Sequence, residues 1–460
     1  MDYTETFAPV THLESIRLLL GTAAKLNWEI RQVDVKTAYL YGDVKEEIYM
    51  EPPEGYKVPE GQVLLLKKAL YGLKQAGKQW YEKLKSILTR YDMKQIVSDP
   101  HTYMGHKVIE GKPCILVIPA YVDDMIPMGD KELVDDFESW IGKDLEVSFL
   151  GDASHFLGIH IIHDHTNHSI SLNQIKFTET IMKNFDTTNP PITQFETPLT
   201  TKDKPVVSNE PPNRDRTKAY QKAIGSIMYL MLGTRPDLAY AVGLLARFSS
   251  NPSNDHLARL FRLLGYIKKT RNRYLYFGNA NPEEEPEGYT DSDHTGDAVD
   301  YKSTSSYVFH IHGGAFSWRS QLQDTTANST MEAEYITLYH ASLNAIWIRN
   351  FFEQLKLPLS KPLRIYCDNQ PAIDVLKGTE AHKKAKHFQV KVHVVREHYN
   401  RRLIDVEYCQ TEENDADIFT KAMPKAAFVN SVSNLGLSDV PATPDPDESM
   451  TTQYDSANDS

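Results

Sequence analysis

The stretch 114–129 is a nearly continuous apolar run broken in one place, Tyr121-Val122-Asp123-Asp124-Met125, by two adjacent acids. The run reads as β-rich, and the acids sit where a hairpin would turn. Neighbouring residues on a strand point to opposite faces, yet at a tight turn both carboxylates can reach one place while the flanking apolar residues anchor the hairpin. A turn closed by an Asp side chain, with no further role, explains such a pair equally well.

A third acid, Asp34, interrupts a second β-like run, Ile30 to Val35, with Val33 and Val35 on its flanks. A half-buried strand carrying an unpaired carboxylate is costly unless something cationic meets it. Mg²⁺ is the obvious partner, because it prefers a few carboxylate oxygens plus substrate phosphates. Two such ions about 4 Å apart would activate a 3′-hydroxyl and stabilise a departing pyrophosphate in an in-line displacement.

Composition narrows the class. A chain of 460 residues, 41% hydrophobic and 24% charged, has room for two or three cores and excludes disorder throughout. No apolar run approaches the ~18 residues that cross a bilayer. The start, with Asp2 and Glu5, lacks the basic and then apolar pattern of a secretion signal. Cys114, Cys367 and Cys409 are scattered singly, which disfavours a disulfide framework or a cysteine-built zinc site and fits a reducing, intracellular compartment.

The net charge of −12 looks wrong for a nucleic-acid partner, since phosphate neutralisation demands Lys and Arg. Ten of the acids, however, lie in two short stretches without bases: six in 439–460 and four in 281–288, leaving −2 elsewhere. Bases cluster at Lys67, Lys68, Lys74 and Lys78, at Lys268, Lys269, Arg271 and Arg273, at Lys383, Lys384 and Lys386, and at Arg396, Arg401 and Arg402. Solvated helix faces account for such runs as readily as phosphate grips do.

Pro-rich and acidic stretches divide the chain into an α+β block over 1–186, a linker over 187–218, a helical block over 219–280, an acidic linker over 281–288, a mixed α/β block over 289–422 and an ending over 423–460 whose acidic tail reads as disordered. A helix is expected near 12–27 in the first block; in the second, Pro236 suits a first turn. Pro119 and Pro127 flank the Asp123-Asp124 turn, and each removes a ladder donor, which is tolerated mainly at an edge or a bulge.

The mixed block carries a second set of acids: Asp291, Asp293, Glu332, Glu334, Asp368, Asp415 and Asp417. Asp291 follows an apolar strand start, Glu334 falls early in a long helix, Asp368 ends the strand Arg364 to Cys367, and Asp417 begins the last helix. Acids from distant segments suit a two-metal nuclease, because one segment cannot surround two cations. Taken singly, each also fits a surface acid favoured by a helix dipole. Histidines crowd a hairpin tip at His160, His163, His165 and His168, and accompany an apolar stripe, Phe388, Val392, Val395 and Tyr399, at His382, His387, His393 and His398. The stripe suggests an amphipathic helix, while the alternation of Phe388, Val390, Val392 and Val394 leaves a strand open. No catalytic role is assigned to these histidines.

The segments ETFAPV at 5–10, QVDVKTAYLYGDVKEEIYMEPPEGY at 32–56, LKKALYGLKQAGKQWYEKL at 66–84, YVDD at 121–124 and FLGIHI at 156–161 resemble the copia-type LTR-retrotransposon reverse transcriptase in order and spacing. YTDSDHTGD at 289–297, STMEAEYITL at 329–338, IYCDNQPAI at 365–373 and NDADIFTKAMP at 414–424 resemble the RNase H domain that follows it in the Pol polyprotein. The resemblance implies an α+β fold: a palm of antiparallel sheet plus helices with partial fingers over 1–186, a helical thumb and connection over 219–280, and an RNase H-like mixed α/β domain over 289–422.

It further implies that Asp34, Asp123 and Asp124 are the palm's catalytic metal ligands, and that Asp291, Glu334, Asp368 and Asp417 hold the metals of hybrid hydrolysis, with Glu334 preferred to Glu332. Tyr39 matches the aromatic that favours dNTPs over ribonucleotides, and Lys74 and Lys78 become phosphate contacts. The implied cofactor is Mg²⁺, with Mn²⁺ as substitute; the implied partners are an RNA template, a DNA primer, an RNA–DNA hybrid and dNTPs, with no membrane. The implied location is cytoplasmic retrotransposon particles or the nucleus, and the oligomeric state is left open. The family's polymerases carry a basic finger strand upstream of ETFAPV, so a chain that begins at Met1 reads as a carboxy-terminal part of the polyprotein or a decayed copy, with weakened polymerisation expected. A silent nucleic-acid-binding remnant and a ribonuclease H working alone are the rival readings.

Overall fold

The computed structural model describes residues 6–186, 191–202, 204–278, 283–294, 296, 299, 301–378 and 389–441. The basic run Lys383, Lys384 and Lys386, with His382, His387 and Phe388, lies outside the described residues, as does the acidic tail from 442 onward. The chain divides into two compact units, Met1–Ile16 with Trp28–Phe156, and Arg17–Asn27 with Leu157–Ser460. The helix expected near 12–27 forms at Leu13–Leu26.

The first unit is built on a mostly antiparallel sheet with strands in the order Lys94–Ile96, Asp99–Ile109, Lys112–Tyr121, Asp124–Met125, Glu29–Val35 and Met128–Gly129; Val147–Asp152 also pairs with Glu29–Val35. Two helices cover one face. Ala76–Arg90 buries Trp80, Leu84, Ile87 and Leu88, and Lys131–Ile141 buries Leu133, Val134, Phe137 and Ile141, both at the 3–4-residue spacing of one helix face. Val33, Val35, Leu116, Ile118 and Met125 meet them from the sheet. At roughly 1.5–3 kcal/mol for each fully buried aliphatic or aromatic side chain, this core fixes the strand faces. Because Val33 and Val35 point inward, the intervening Asp34 stands on the opposite face.

Pro119 lies inside the sheet, not at its rim, on the strand Lys112–Tyr121. The partner strand is interrupted between Met125 and Met128, and the Ile126 amide donates to the Pro119 carbonyl at 3.1 Å. The missing Pro119 donor therefore faces an irregular segment, and Pro127, within that break, still offers its carbonyl to Arg31 N–H at 2.9 Å.

The second unit holds the helices Arg214–Gly233, Ala239–Ala246 and Asn254–Lys269. Asn213 caps the first by accepting from the amides of Asp215 and Arg216. Pro236 opens a short 3₁₀ turn, Pro236–Leu238, as its fixed φ allows. The helical segment gives way at Thr270 to a strand, Tyr274–Phe277, because its aromatic residues find a partner in Ser169–Asn173. Arg235 is wholly buried and forks onto Asp237 at 2.9 and 2.7 Å, with Tyr266 donating to the same carboxylate at 2.5 Å. Removing one member would strand a buried charge, typically a loss of about 3–5 kcal/mol.

A five-stranded sheet follows in the order Gly314–Leu322, Thr304–Ile311, Glu287–Asp293, Leu363–Cys367 and Ile404–Tyr408. The first three strands are antiparallel, and the last three run parallel to one another. Parallel neighbours need crossovers, and the helices Thr330–Gln354, Gln370–Lys377 and Gln389–Asn400 lie in them. The stripe around Val392 and Val395 thus forms a helix, with no alternating strand. One expectation is corrected: Asp417 does not begin the last helix but a 3₁₀ turn, Asp417–Phe419. The last helix is Lys425–Asn434, because Pro424 biases the residue before it away from helical geometry and so marks a new start.

Candidate active sites

In the first unit, Tyr121 and Asp124 pair across a two-residue turn made of Val122 and Asp123. Val122 adopts φ +57°, a conformation that glycine ordinarily supplies at such a turn and that costs a β-branched residue about 1–3 kcal/mol. Two hydrogen bonds hold it there: the Trp80 indole N–H donates to the Val122 carbonyl at 2.6 Å, and the Val35 amide donates to the Asp123 carbonyl at 2.8 Å. Strand register then sets Asp34 directly opposite Asp124. The turn, the strand and a tryptophan from a distant helix bring the three acids together.

The electrostatics follow from that convergence. Asp124 is pushed up to about 6, first by burial and then by the charges of Asp34 and Asp123, against the pull of a Gln32 side-chain amide that donates to both its oxygens at 3.1 and 3.2 Å. Burial and Asp123 also raise Asp34. Tyr39, in the 3₁₀ turn Ala38–Tyr41, packs its ring 4.4 Å from that of Tyr71. Both phenols are raised by burial and by the nearby Asp123, to which Tyr71 donates a hydrogen bond. Lys74 is exposed in the loop before the helix Ala76–Arg90, and Lys78 ion-pairs with Glu82 one turn along it at 3.8 Å. Gln32, Tyr71 and Trp80 were not singled out from sequence, although all three lie inside the quoted motifs.

The second site is tighter. Asp291 on the strand Glu287–Asp293, Asp368 just after Leu363–Cys367, and Asp417 in its 3₁₀ turn bring carboxylate oxygens within 4.8 Å of one another. Glu334, in the first turns of Thr330–Gln354, lies equally near Asp368 and the Cys367 thiol. Each acid takes one internal donor. Thr420 donates to Asp291, the Ser292 amide to Glu334 at 3.2 Å, Thr411 to Asp368 at 2.8 Å, and the Lys421 ammonium to Asp417 at 2.8 Å.

Burial is the leading cause of the raised values of all four acids. Asp291 rises to about 6, with Asp417 adding to the effect and Lys421 opposing it. Glu334 rises well above the ordinary range, helped by Asp291 and Asp368. Asp368 and Asp417 are raised as well. One oxygen of Glu334 and one of Asp417 are buried with no hydrogen-bond partner. Such orphaned anionic oxygens, in an all-carboxylate donor set, fit a hard divalent cation. By contrast, Glu332 turns back to accept from the amide and side chain of Asn328 at 3.0 Å, and Asp415 faces Asn434 at 2.8 Å and His310 at 3.5 Å. Ser292, Thr420 and Lys421 lie inside the quoted motifs, and Thr411 just ahead of the last one, yet none was singled out from sequence, because each is a single polar residue whose partner only the fold reveals.

Elsewhere the candidates are occupied internally. Lys268 pairs with Asp186, Lys269 with Glu196, and Arg273 with Asp439. His160 bonds Asn173 at 3.1 Å, and His163 and His165 pack their rings 3.8 Å apart at the hairpin end. Among the described residues, no helix is long and apolar enough to cross a membrane.

Residues 1–200 match the family Reverse transcriptase (RNA-dependent DNA polymerase). The chain is 39% identical over 437 residues to the retrovirus-related Pol polyprotein from transposon TNT 1-94 of Nicotiana tabacum, covering 93% of this chain and 32% of that one. It is 32% identical over 444 residues to the Pol polyprotein from transposon RE1 of Arabidopsis thaliana, covering 96% and 30%. The Gag-Pol polyprotein of transposon Ty1-GR2 of Saccharomyces cerevisiae is 28% identical over 443 residues, covering 91% and 24%. The chain thus spans about a third or less of the length of the curated relatives it matches. Among solved structures, a foamy viral protease-reverse transcriptase in complex with double-stranded DNA aligns with TM-score 0.46 at 12% identity, covering 89% of this chain and 60% of that one. LC11-RNase H1 in complex with an RNA/DNA hybrid aligns with TM-score 0.24 at 15% identity, covering 30% and 94%. Residues 1–200 thus match a reverse transcriptase, and over more than nine-tenths of its length the chain is similar to the Pol polyproteins of copia-type transposons.

Proposed function

We propose that this chain is an RNA-directed DNA polymerase joined to a ribonuclease H. It would extend a DNA primer on an RNA template with dNTPs at Asp34, Asp123 and Asp124, and cut the RNA of the resulting hybrid at Asp291, Glu334, Asp368 and Asp417. The observation that carries the reading is the meeting of four acids from four separate segments, two of them with buried, unpartnered oxygens. A fold that gains nothing from uncompensated buried anions retains them for a cation.

In the proposal, Mg²⁺, or Mn²⁺ in its place, is held by those carboxylates, and when bound it supplies charge neutralisation and activation of the attacking oxygen. The protein's own part is positional. The Trp80–Val122 bond and the Val35–Asp123 bond hold the turn, so Asp123 and Asp124 reach the pocket already oriented. The Gln32 side-chain amide donates to both oxygens of Asp124 and so fixes that carboxylate. Tyr39, braced by Tyr71, is assigned the face against the nucleotide sugar, where its ring excludes a 2′-hydroxyl; Lys74 and Lys78 are assigned to phosphates. In the second pocket Thr420, Thr411 and the Ser292 amide fix one oxygen of Asp291, Asp368 and Glu334, leaving the others to face inward.

Residues 1–186 are assigned to palm and partial fingers, 219–280 to thumb and connection, and 289–422 to ribonuclease H, acting in cytoplasmic particles or the nucleus. The test is primer extension on an RNA template with Mg²⁺, run beside cleavage of a labelled RNA–DNA hybrid. Both activities are expected. Cleavage alone would leave a ribonuclease H, and neither would leave a silent binding remnant.

A further inference from the structure

Three of the four acids in the second pocket are met by neutral donors, whereas Asp417 is met by a cation, Lys421. The Lys421 ammonium stands 2.8 Å from Asp417 Oδ2, and its positive charge also acts on Asp291, Asp368 and Asp293. The two partners differ in accessibility: the Asp417 side chain is 8% exposed and that of Lys421 is 41% exposed. A buried anion is thus covered by a cation whose long, flexible stem is half in water. Such a stem swings away without disturbing the fold, whereas the carboxylate cannot move.

An ammonium and a divalent ion compete for the same oxygen. Asp417 Oδ2 is satisfied by Lys421 while Asp417 Oδ1 is buried and unpartnered, so the pocket offers an incoming ion one oxygen free and one already taken. Resting on the reading of this pocket as a divalent-ion site, we propose that Lys421 is its built-in counter-ion. It opposes the negative charge of Asp417, Asp291 and Asp368 when no metal is present and must leave Asp417 before a metal is fully seated, and so sets the metal concentration at which the pocket fills. Charges of +1 and +2 a few ångströms apart near a protein surface repel enough to weaken metal binding by about tenfold or more.

The experiment is calorimetric titration of Mg²⁺ into the full chain carrying Asp34→Asn, Asp123→Asn and Asp124→Asn, so that heat reports the second pocket alone, with and without Lys421→Gln. Lys421→Gln is expected to tighten Mg²⁺ binding by about tenfold, and Lys421→Arg, which keeps the charge, to leave it within about threefold of the parent. Unchanged or weaker binding in Lys421→Gln overturns the proposal, including the case in which hybrid KM rises instead, as for a lysine that grips substrate phosphate. Should Lys421→Gln not fold, acylation of Lys421 in the unaltered chain, followed by mass spectrometry, takes its place. Labelling is expected to rise on adding Mg²⁺, and constant or reduced labelling overturns the counter-ion role. No binding of Mg²⁺ or Mn²⁺ by the parent pocket is a different result: it removes the metal-site reading itself, and the proposal with it.

Discussion

The two acid clusters solve the same electrostatic problem in different ways. Asp34, Asp123 and Asp124 come from one strand and one turn, set opposite each other by antiparallel register and left partly exposed. Asp291, Glu334, Asp368 and Asp417 come from within one strand, a helix start, the end of another strand and a 3₁₀ turn, and three of them are more than nine-tenths buried. Repulsion is held in check by backbone geometry in the first cluster, where a strained Val122 is clamped by Trp80, and by side-chain donors and a lysine in the second. Carboxylate oxygens of Asp291, Asp368 and Asp417 gather within 4.8 Å of one another; among the described residues, those of the first cluster do not. On the proposed function, the half-open cluster is completed by substrate phosphates, whereas the closed one is built in advance.

The largest expected effects test whether the clusters are independent. Asp123→Asn should lower primer extension by on the order of 1,000-fold, about 4 kcal/mol of barrier, and leave hybrid cleavage within about twofold. Asp291→Asn and Glu334→Gln should do the reverse. Glu332→Gln, whose carboxylate serves Asn328, should spare both activities and cost about 1 kcal/mol of stability. Loss of both activities in any single variant breaks the two-site comparison, and loss of cleavage in Glu332→Gln exchanges the roles of the two glutamates.

Next comes the clamp, which only the first cluster has. Trp80→Phe removes the indole donor and leaves a void in a core where Trp80 is 1% exposed. Thermal unfolding should report a loss of about 2–3 kcal/mol, and primer extension at a temperature well below the transition should fall about tenfold while cleavage holds. Equal losses in the two assays would show that Trp80 supports the fold and not the turn.

A third test is pH. Asp124 and Asp291 are both pushed up to about 6 by burial. A carboxyl with a raised folded-state value favours the fold while protonated, below about pH 4, and that contribution is lost as pH rises through about 6. The metal-free chain should therefore lose stability between about pH 4 and pH 7, and saturating Mg²⁺ should remove most of the loss. Asp291 is the more buried of the pair, so Asp291→Asn should flatten the profile by about 1–2 kcal/mol and Asp124→Asn by less, its partly exposed carboxyl being screened. The opposite order, read by thermal denaturation across pH, would reverse the contrast between closed and half-open clusters.

What sequence could and could not deliver follows the same division. Asp34 was legible because Val33 and Val35 mark their strand by alternation, and Asp123-Asp124 because two acids inside an apolar run demand a turn. The strand carrying Asp291, the strand end before Asp368 and the helix over Glu334 were legible for the same local reasons. The donors were not. Thr420, Thr411 and Ser292 acquire their roles only when segments about forty to more than a hundred residues apart pack together, Lys421 reaches Asp417 one turn before it, and a lone hydroxyl leaves no periodic trace. Asp417 shows the intermediate case: the acid stood out, but not the 3₁₀ turn that carries it, since Pro424 moves the helix start eight residues on, to Lys425.

The smallest expected effects fall on two hydroxyls that play matching parts. Tyr71 donates to Asp123 from a ring that is 58% exposed, and Thr420 donates to Asp291 from a buried site. Removing each without changing shape isolates the hydrogen bond: Tyr71→Phe in the first cluster, Thr420→Val in the second. Water can replace the exposed donor, so primer extension by Tyr71→Phe should fall only about threefold. It cannot reach the buried one, so Thr420→Val leaves an acid short of a partner and should lower hybrid cleavage about tenfold, with a loss of about 1–2 kcal/mol in thermal stability that Tyr71→Phe does not share. If the exposed hydroxyl proves as costly as the buried one, the first cluster is as closed as the second, and substrate phosphates are not what completes it.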